Sequence, residues 1–200
     1  MAGLTDIMSV SNKRNKTMNR ILDAALDCYA QAGVTRVTLE QVAKQAGVTR
    51  TTLYRYVSNR DDLLNKVLHR DAMQVQADAA LFFRSQPNFG LAVVDSMLYT
   101  IRGRLTRPIN RILFPDGEGS PYLTAERFYD LAYPMLEKPF EENQRAGNIR
   151  QGVTLDMAVE WIARVTLSYI NDPGETAPNE RYLRQLLETL LLPALMAPPK

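Results

Sequence analysis

Side chains that can hydrogen-bond to nucleic acid are concentrated between positions 38 and 60. An arginine can donate two parallel hydrogen bonds to guanine, a threonine offers a hydroxyl group to a phosphate and a methyl group to thymine, and a tyrosine can donate to a phosphate. The predicted DNA-contacting residues are Thr38, Thr49, Arg50, Thr51, Thr52, Tyr54, Arg55, Tyr56 and Arg60. Of these, Arg50, Thr51 and Arg55 are expected to contact bases. The residues expected to hold phosphates are Thr38, Thr52, Tyr54, Tyr56 and Arg60.

The spacing of residues 38–63 predicts two short helices joined by a tight turn, which would place these side chains on one surface. Thr38 carries a hydroxyl group suited to a helix cap, and Gln41 stands three positions beyond it, as in a capping box. Gly47 tolerates the left-handed conformation that ends such a helix, and Thr49 can cap the next one. The apolar side chains at helical spacing, predicted to be buried, are Leu39, Val42, Ala43, Ala46, Leu53 and Val57.

The run of residues 21–64 closely resembles the N-terminal domain of the tetracycline-repressor (TetR) family of bacterial transcription regulators. The features that match are an apolar helix ending in Ala32-Gly33, Thr38, the turn at 43–48, Leu53-Tyr54 followed by Tyr56, and the run Arg-Asp-Asp-Leu at 60–63. The resemblance implies a dimeric regulator, most often a repressor, which binds a palindromic DNA site and a small-molecule inducer or corepressor. It also implies that the ligand changes the separation of the two recognition helices through the helix after Asp61.

Three positions depart from the family's pattern. Tyr56 stands where the family often has histidine, Val57 where it often has phenylalanine, and Arg60 where it often has lysine. Each replacement keeps either a phosphate donor or a buried apolar side chain. A helical hairpin whose arginines only form a solvated face is the alternative interpretation, but it would need no capped turn before a short second helix.

The positive charge lies at the N-terminal end. Residues 1–60 contain nine Lys or Arg and four Asp or Glu, a net charge of +5, whereas the remainder carries −3. We therefore expect the N-terminal end to meet the phosphates, with Lys13, Arg14 and Lys16 as a candidate basic arm on the DNA backbone or minor groove. The predicted organisation is a flexible tail at 1–12, a helix-turn-helix DNA-binding domain at 13–60, and a helical effector-binding and dimerisation domain at 61–200.

Little in the composition suggests catalysis. His69 is the only histidine, no nucleophile motif gives it a partner, and no carboxylates stand at metal-ligand spacing, so we expect no catalytic residue, no metal site and no cofactor. The single cysteine, Cys28, excludes an intramolecular disulfide and suits a reducing compartment. No apolar run is long enough for a membrane span. The predicted location is the bacterial cytoplasm, on the chromosome.

The rest of the chain is predicted to be helical. No long stretch after residue 60 alternates apolar and polar residues, whereas helical spacing recurs throughout. The predicted fold is therefore all-α, with about nine helices: three in the N-terminal helix-turn-helix domain and the others in the C-terminal domain. Residues 115–121 form the strongest loop signal, and Pro134 and Pro139 are expected to bend or split a helix over 122–145.

The last two long helices, predicted over 155–170 and from Pro178 to about Leu192, carry more apolar surface than one core face requires. We expect them to form a four-helix bundle with the same pair from a second subunit. The predicted interface residues are Ile162, Thr166, Tyr169, Leu183, Leu187, Leu190 and Leu191. The alternative is one larger core within the protomer that consumes all of this surface.

The middle helices contain aromatic and methionine side chains that could line an effector pocket. The candidate residues are Phe82, Met97, Tyr99, Phe128, Tyr133, Met135, Met157 and Trp161. Each of them would also be at home in an ordinary core. If they line a pocket, its effector would be bulky, apolar or planar rather than a sugar or phosphate.

Three functional classes therefore remain open. The first is a ligand-responsive, dimeric transcription regulator; the second is a helical DNA-binding protein without a ligand; the third is a helical enzyme acting on a small molecule. The sequence favours the first.

Overall fold

The computed structural model describes residues 2–107, 109–113, 124–174 and 179–198, where the regular structure is helical apart from one isolated bridge. The helices are α1 (Ala2–Ala32), α2 (Leu39–Gln45), α3 (Arg50–Tyr54), α4 (Arg60–Ala80), α5 (Phe82–Ser85), α6 (Phe89–Thr106), α7 (Asn110–Leu113), α8 (Ala125–Arg145), α9 (Leu155–Asn171), α10 (Glu180–Leu186) and α11 (Leu192–Leu195). A 3₁₀ turn, Val34–Arg36, follows α1. The all-α prediction is confirmed.

The chain forms two compact units, Met1–Asp71 and Ala72–Lys200. Their boundary falls within α4, whereas the sequence placed it at residue 60, where this helix begins. The start of α4 is well defined, because the Asn59 side chain accepts a hydrogen bond of 2.8 Å from the backbone N–H of Asp62. Asp61 and Asp62 also place carboxylates at the positive end of the helix dipole.

In the first unit, α1 packs on α2 and α2 packs on α3. Helix α1 already begins at Ala2, so residues 2–12, predicted to form a flexible tail, lie in a helix. No proline interrupts them, and an existing helix extends at little cost per residue. The buried side chains of this unit include Ile21, Leu22, Ala25, Tyr29, Leu39, Val42, Ala43, Ala46, Leu53, Val57, Leu63 and Val67.

In the second unit, α9 packs against α8 and α6. Its core includes Val93, Val94, Met97, Leu136, Phe140, Val159, Ile162 and Leu187. As predicted, Thr154 caps α9, since its hydroxyl oxygen accepts a hydrogen bond of 3.3 Å from the backbone N–H of Met157. Thr124 caps α8 in the same way.

Helix α8 is continuous although it contains Pro134 and Pro139, which were expected to bend or split it. A proline supplies no N–H, so the carbonyl group four residues before it, that of Asp130 for Pro134, loses its helical partner. One neighbouring carbonyl, that of Leu131, accepts a hydrogen bond of 2.5 Å from the side chain of Gln76 in α4. A side chain from another helix thus contacts the turn before Pro134.

The last helical stretch includes one π-helical turn, Leu187–Leu191, and continues past its predicted end near Leu192 to Leu195. Its buried leucines recur every four residues, at Leu183, Leu187, Leu191 and Leu195. In an α-helix such a row drifts by about 40° at each step, and a wider π turn corrects part of the drift. The π turn also precedes Pro193, where a regular helix would need an N–H group that proline lacks.

The segment after α11 pairs with the loop between α8 and α9. Ile149 and Met196 form an antiparallel bridge, in which the Arg150 N–H donates to the Leu195 carbonyl at 2.9 Å and the Ala197 N–H donates to the Asn148 carbonyl at 2.8 Å. The C-terminal end of the second unit is therefore fixed by backbone hydrogen bonds.

Two sequence expectations fall outside the described residues, namely the loop at 115–121 and the start of the last helix at Pro178. Among the helices that are described, none is both long enough and apolar enough to cross a membrane.

Candidate nucleic-acid interface

Helix α2 begins and ends as the sequence predicts. Thr38 and Gln41 form a complete capping box: the Gln41 N–H donates to Thr38 Oγ1 at 3.2 Å, and the Thr38 N–H donates to Gln41 Oε1 at 2.8 Å. The hydroxyl hydrogen of Thr38 remains available for a phosphate. The helix ends at Gly47, whose φ of +61° is the left-handed conformation that glycine tolerates best.

The next helix, α3, begins directly after this turn with Thr49 as its cap. Thr49 Oγ1 accepts a hydrogen bond of 3.1 Å from the Thr52 N–H, and the two hydroxyl oxygens lie 2.9 Å apart. Since only one of these hydroxyl groups donates to the other, one hydroxyl hydrogen remains for an outside acceptor. The cap therefore positions α3 and leaves a donor on its outer surface.

The inner and outer faces of α3 agree with the predicted ones. Leu53 and Val57 are buried in the unit. Of the side chains predicted to face outward, Arg50, Thr51, Tyr54 and Arg55 are exposed and Thr52 is half-buried, as is Tyr56, a predicted phosphate contact. The outer surface thus presents guanidinium, hydroxyl and phenol groups that the core does not use.

Arg50, the first residue of α3, lies against two other side chains of the motif. Its Nη1 is 3.2 Å from Oε1 of Glu40 in α2, and its guanidinium carbon is 5.5 Å from the centre of the Tyr54 ring. Both contacts leave the guanidinium exposed on the outer surface, with a restricted choice of directions.

Arg60 has a structural contact that its predicted phosphate role did not include. Its Nη2 donates to the carbonyl oxygens of Val34 at 2.9 Å and Thr35 at 2.7 Å, in the 3₁₀ turn before α2. This nitrogen ties the start of α4 to that turn, while the remaining guanidinium donors can still reach a phosphate.

A second arginine, Arg20 of α1, supports the turn between α2 and α3 and was not singled out from the sequence. Its Nη2 donates to the carbonyl oxygens of Ala46 at 2.6 Å and Gly47 at 3.2 Å. A Cβ atom at Gly47 would lie 3.1 Å from this nitrogen, so a side chain there would displace the end of Arg20 slightly, in addition to straining the positive φ. Arg20 and Ala46 are 26 positions apart in the sequence, so no local spacing signal predicts this contact.

The carboxylate of Asp62 stabilises the start of α4. It pairs with Lys66, and it also accepts a hydrogen bond of 2.8 Å from the Ser58 N–H. These contacts lower the pKa of the Asp62 carboxyl group, chiefly through the hydrogen bond from Lys66 and then through that from Ser58. The carboxylate stays ionised next to the basic surface.

We predict that Arg60→Ala lowers the unfolding midpoint of the protein. Hydrogen bonds from a charged donor contribute up to about 1.5–3 kcal/mol each, and the exposure of Arg60 places its two bonds towards or below the lower end of that range. Arg60→Lys keeps the charge but has no fork-shaped group to bridge both carbonyls. Urea unfolding of both variants should show similar losses, whereas full stability in Arg60→Lys would show that charge alone matters.

Among the predicted effector-pocket residues, Phe82 and Tyr99 lie together, with ring centres 5.8 Å apart. The Tyr99 hydroxyl donates a hydrogen bond of 2.7 Å to Asp78 in α4. Met97 is buried, and Phe128, Tyr133 and Met135 of α8 are half-buried. These residues belong to the inner or partly covered surfaces of α5, α6 and α8.

The remaining two candidates, Met157 and Trp161, lie on the exposed face of α9, with 56% and 49% of their surface accessible. Nearby on the same helix, Glu160 and Arg164 form an exposed ion pair of 2.8 Å. The exposed face of α9 is thus distinct from its buried residues, which are Ala158, Val159, Ile162, Ala163, Thr166, Leu167 and Ile170.

Most residues predicted for the dimer interface are buried within the protomer. The buried ones are Ile162, Thr166, Leu183, Leu187 and Leu191, whereas Tyr169 is half-buried and Leu190 is 67% exposed. A side chain covered by its own chain has little surface left for a second subunit. Tyr182, which was not among the predicted interface residues, is 52% exposed on α10.

Within the described residues, no group of three or more His, Cys, Asp or Glu side chains is placed to hold a metal ion.

In the second unit, the Tyr129 hydroxyl donates to Asp156 at 2.6 Å, and this hydrogen bond raises the pKa of Tyr129 to about 12. The phenol therefore stays protonated and ties α8 to α9.

Residues 21–67 match the family described as bacterial regulatory proteins, tetR family. No curated protein matches the chain. Among solved structures, a TetR-family transcriptional regulator from Pectobacterium atrosepticum is similar with a TM-score of 0.69 at 16% identity, over 94% of this chain and 98% of its own.

Two further solved structures are similar over most of both chains. SmeT, the repressor of the Stenotrophomonas maltophilia multidrug efflux pump SmeDEF, has a TM-score of 0.63 at 20% identity and covers 90% of each chain. RolR in complex with the ligand resorcinol has a TM-score of 0.67 at 17% identity, over 92% of this chain and 90% of its own. At these identities the likeness is one of fold.

Proposed function

Because the chain belongs to the TetR family of bacterial regulatory proteins, we propose that it is a homodimeric transcription regulator. In this proposal it represses transcription by binding a palindromic operator, and a small planar or apolar effector releases it. Residues 13–60 contain the DNA-reading surface, and the helices after Arg60 bind the effector and the second subunit.

The observation that carries this proposal is the outer surface of α3. A short helix is fixed by the Thr49 cap and the buried Leu53, yet its exposed side chains include Arg50 and Arg55, which no core contact requires. Such a surface suits the edges of bases in the major groove, while Thr38 and Tyr56 beside it suit phosphates. One helix of this length reads few base pairs, so specificity calls for a second copy.

The exposed apolar side chains of α9, α10 and the π turn after α10 support a dimer, with a changed list of interface residues. We propose that Met157, Trp161, Tyr182 and Leu190 meet the second subunit. All four are large and lie about half exposed or more, and methionine and aromatic residues are enriched at subunit interfaces. In this arrangement Leu183 and Leu187 support the interface from within the protomer.

The pair formed by Phe82 and Tyr99 supports an effector site with aromatic walls. Planar compounds stack on such rings, and resorcinol, the ligand in the RolR structure, is a planar aromatic compound. The Tyr99 hydroxyl contacts Asp78 in α4, and Gln76 of the same helix contacts Leu131 in α8. Helix α4 begins at Arg60, which is one of the predicted phosphate contacts. We therefore propose that an effector acts on DNA binding by moving α4.

The test of the proposed function is a selection of bound sequences from a pool of random duplex DNA, followed by release with candidate effectors. We expect enrichment of one inverted repeat and loss of binding when a planar aromatic compound is added. Enrichment without release by any compound would favour a DNA-binding protein that has no ligand. Absence of any enriched sequence would contradict the proposal.

We predict that planar aromatic compounds raise the unfolding midpoint, because a ligand bound only to the folded state stabilises it by about 2.7 kcal/mol at one hundred times its Kd. Tyr99→Phe should lower the release of DNA by the effector, since it removes the contact with Asp78. Tyr129→Phe is the matched control, because it also removes a tyrosine-to-aspartate hydrogen bond of the second unit. Stabilisation by sugar phosphates alone, or equal effects of both variants, would contradict the proposed site.

A further inference from the structure

We infer that Glu40 is a specificity-determining residue, whose carboxylate directs Arg50 towards a base and lowers the affinity for DNA that lacks this base. The inference rests on the proposed DNA-reading function. It concerns a residue that has no direct contact with DNA in that proposal.

The placement of Glu40 is unusual for a surface that faces phosphates. It is the only carboxylate between residues 28 and 60, where the other charged side chains are basic. It lies in the first turn of α2, and its carboxylate oxygen is 3.2 Å from Nη1 of Arg50 at the start of α3. The ion pair therefore connects the two helices of the motif on their outer side.

Stability alone does not account for this pair. Both side chains are more than half exposed, at 66% for Arg50 and 52% for Glu40, and exposed ion pairs contribute little to folding. The pair does restrict the guanidinium, which also lies 5.5 Å above the Tyr54 ring. Two contacts from different sides leave few conformers for Arg50, and such ordering before binding lowers the entropy lost when the base contact forms.

The number of N–H donors on Arg50 explains why Glu40 affects a base contact and a phosphate contact differently. A guanidinium group has five N–H donors, and a bidentate contact with guanine uses two of them, so others can stay on Glu40. A phosphate that takes Arg50 instead either breaks the ion pair or comes close to the carboxylate, which repels it. Glu40 therefore weakens non-specific binding more than it weakens binding to the operator.

The test is a comparison of Kd for the selected operator and for unrelated duplex DNA of equal length. We expect Glu40→Gln to strengthen binding to unrelated DNA by about two- to fivefold per protomer, the range spanned by exposed ion pairs, while operator binding changes by less than about twofold. The salt dependence of non-specific binding should steepen by about one released ion per protomer, because Arg50 becomes free to meet a phosphate.

Asp61→Asn is the matched control, because Asp61 is also an exposed acid in the first turn of a helix. Asp61→Asn removes the same charge and should strengthen binding to the operator and to unrelated DNA by the same factor. Glu40→Asp keeps the charge but is too short to hold Arg50 in the same place, so its discrimination should fall as well. In an Arg50→Ala background, Glu40→Gln should no longer change the ratio of the two Kd values.

An equal change on both DNAs for Glu40→Gln, or an effect that persists without Arg50, would overturn the inference. A wild-type protein that shows no preference for any sequence would instead contradict the proposed function. Unfolding midpoints equal to that of the wild type would show that the variants keep the fold. The two failures are therefore distinguishable.

Discussion

Arg50→Ala is expected to remove the preference for one base pair in each half of the operator. A bidentate arginine contact discriminates against the wrong base by about 1–3 kcal/mol, and a dimer loses this twice. Arg50 is the side chain for which the largest effect is expected, because it is exposed at the start of α3 and is already oriented by Glu40 and Tyr54.

The measurement is a selection of bound sequences by the variant, followed by Kd values for operators with each base pair changed. Lys44→Ala is a useful control, since it removes an exposed positive charge from α2 without removing a predicted base contact. We expect Lys44→Ala to weaken binding to every sequence alike. The same uniform loss with Arg50→Ala would show that Arg50 holds a phosphate and does not read a base.

Trp161→Glu is expected to dissociate the dimer and thereby abolish tight operator binding. Tryptophan is enriched among interface residues whose truncation costs 2 kcal/mol or more, which corresponds to a loss of about thirtyfold or more in dimer affinity. A carboxylate buried without a partner would increase the loss further. Because Trp161 is about half exposed in the protomer, at 49%, the change should leave the fold of the protomer intact.

Sedimentation at several protein concentrations measures this effect directly. Leu81→Glu is the matched control: Leu81 is an exposed apolar residue, at 53%, but lies between α4 and α5 and outside the proposed interface. We expect Leu81→Glu to remain dimeric and Trp161→Glu to become monomeric at the same concentration. A Trp161→Glu protein that stays dimeric would place the interface elsewhere.

The helix-turn-helix segment was the part of the fold most open to prediction, for a local reason. The capping box at Thr38, the turn at Gly47 and the cap at Thr49 depend on residues at most four positions apart. The buried positions Leu53 and Val57 follow from the same short spacing. Interactions of this range can be predicted from the local sequence.

Contacts between residues that are far apart in the sequence could not be predicted from local spacing. Arg20 and Arg60 each bind backbone carbonyls about 25 residues away, and carbonyl groups have no sequence signature. The same holds for Gln76, whose contact with Leu131 accompanies an unbroken α8. The sequence identified Arg60 as a donor but not the acceptors it uses here.

The sequence predicted that the last helices carry excess apolar surface, but not which part of that surface is exposed. Apolar residues at helical spacing reveal that α9 and α10 have more than one apolar face, but the spacing does not say which face the protomer itself covers. The structure assigns Leu183, Leu187 and Leu191 to its own core and leaves Leu190, Trp161 and Tyr182 exposed. The π turn contributes to this division, since it keeps the four-residue leucine row on one side.

The central claim is that two copies of α3 read one DNA site together. The most direct measurement compares the Kd of the wild-type protein for the selected operator with that for the same operator lengthened by about five base pairs at its centre, half of a helical turn. We expect a loss of at least about a hundredfold, because one half-site then faces the opposite side of the duplex. Equal affinity for both DNAs would contradict the claim.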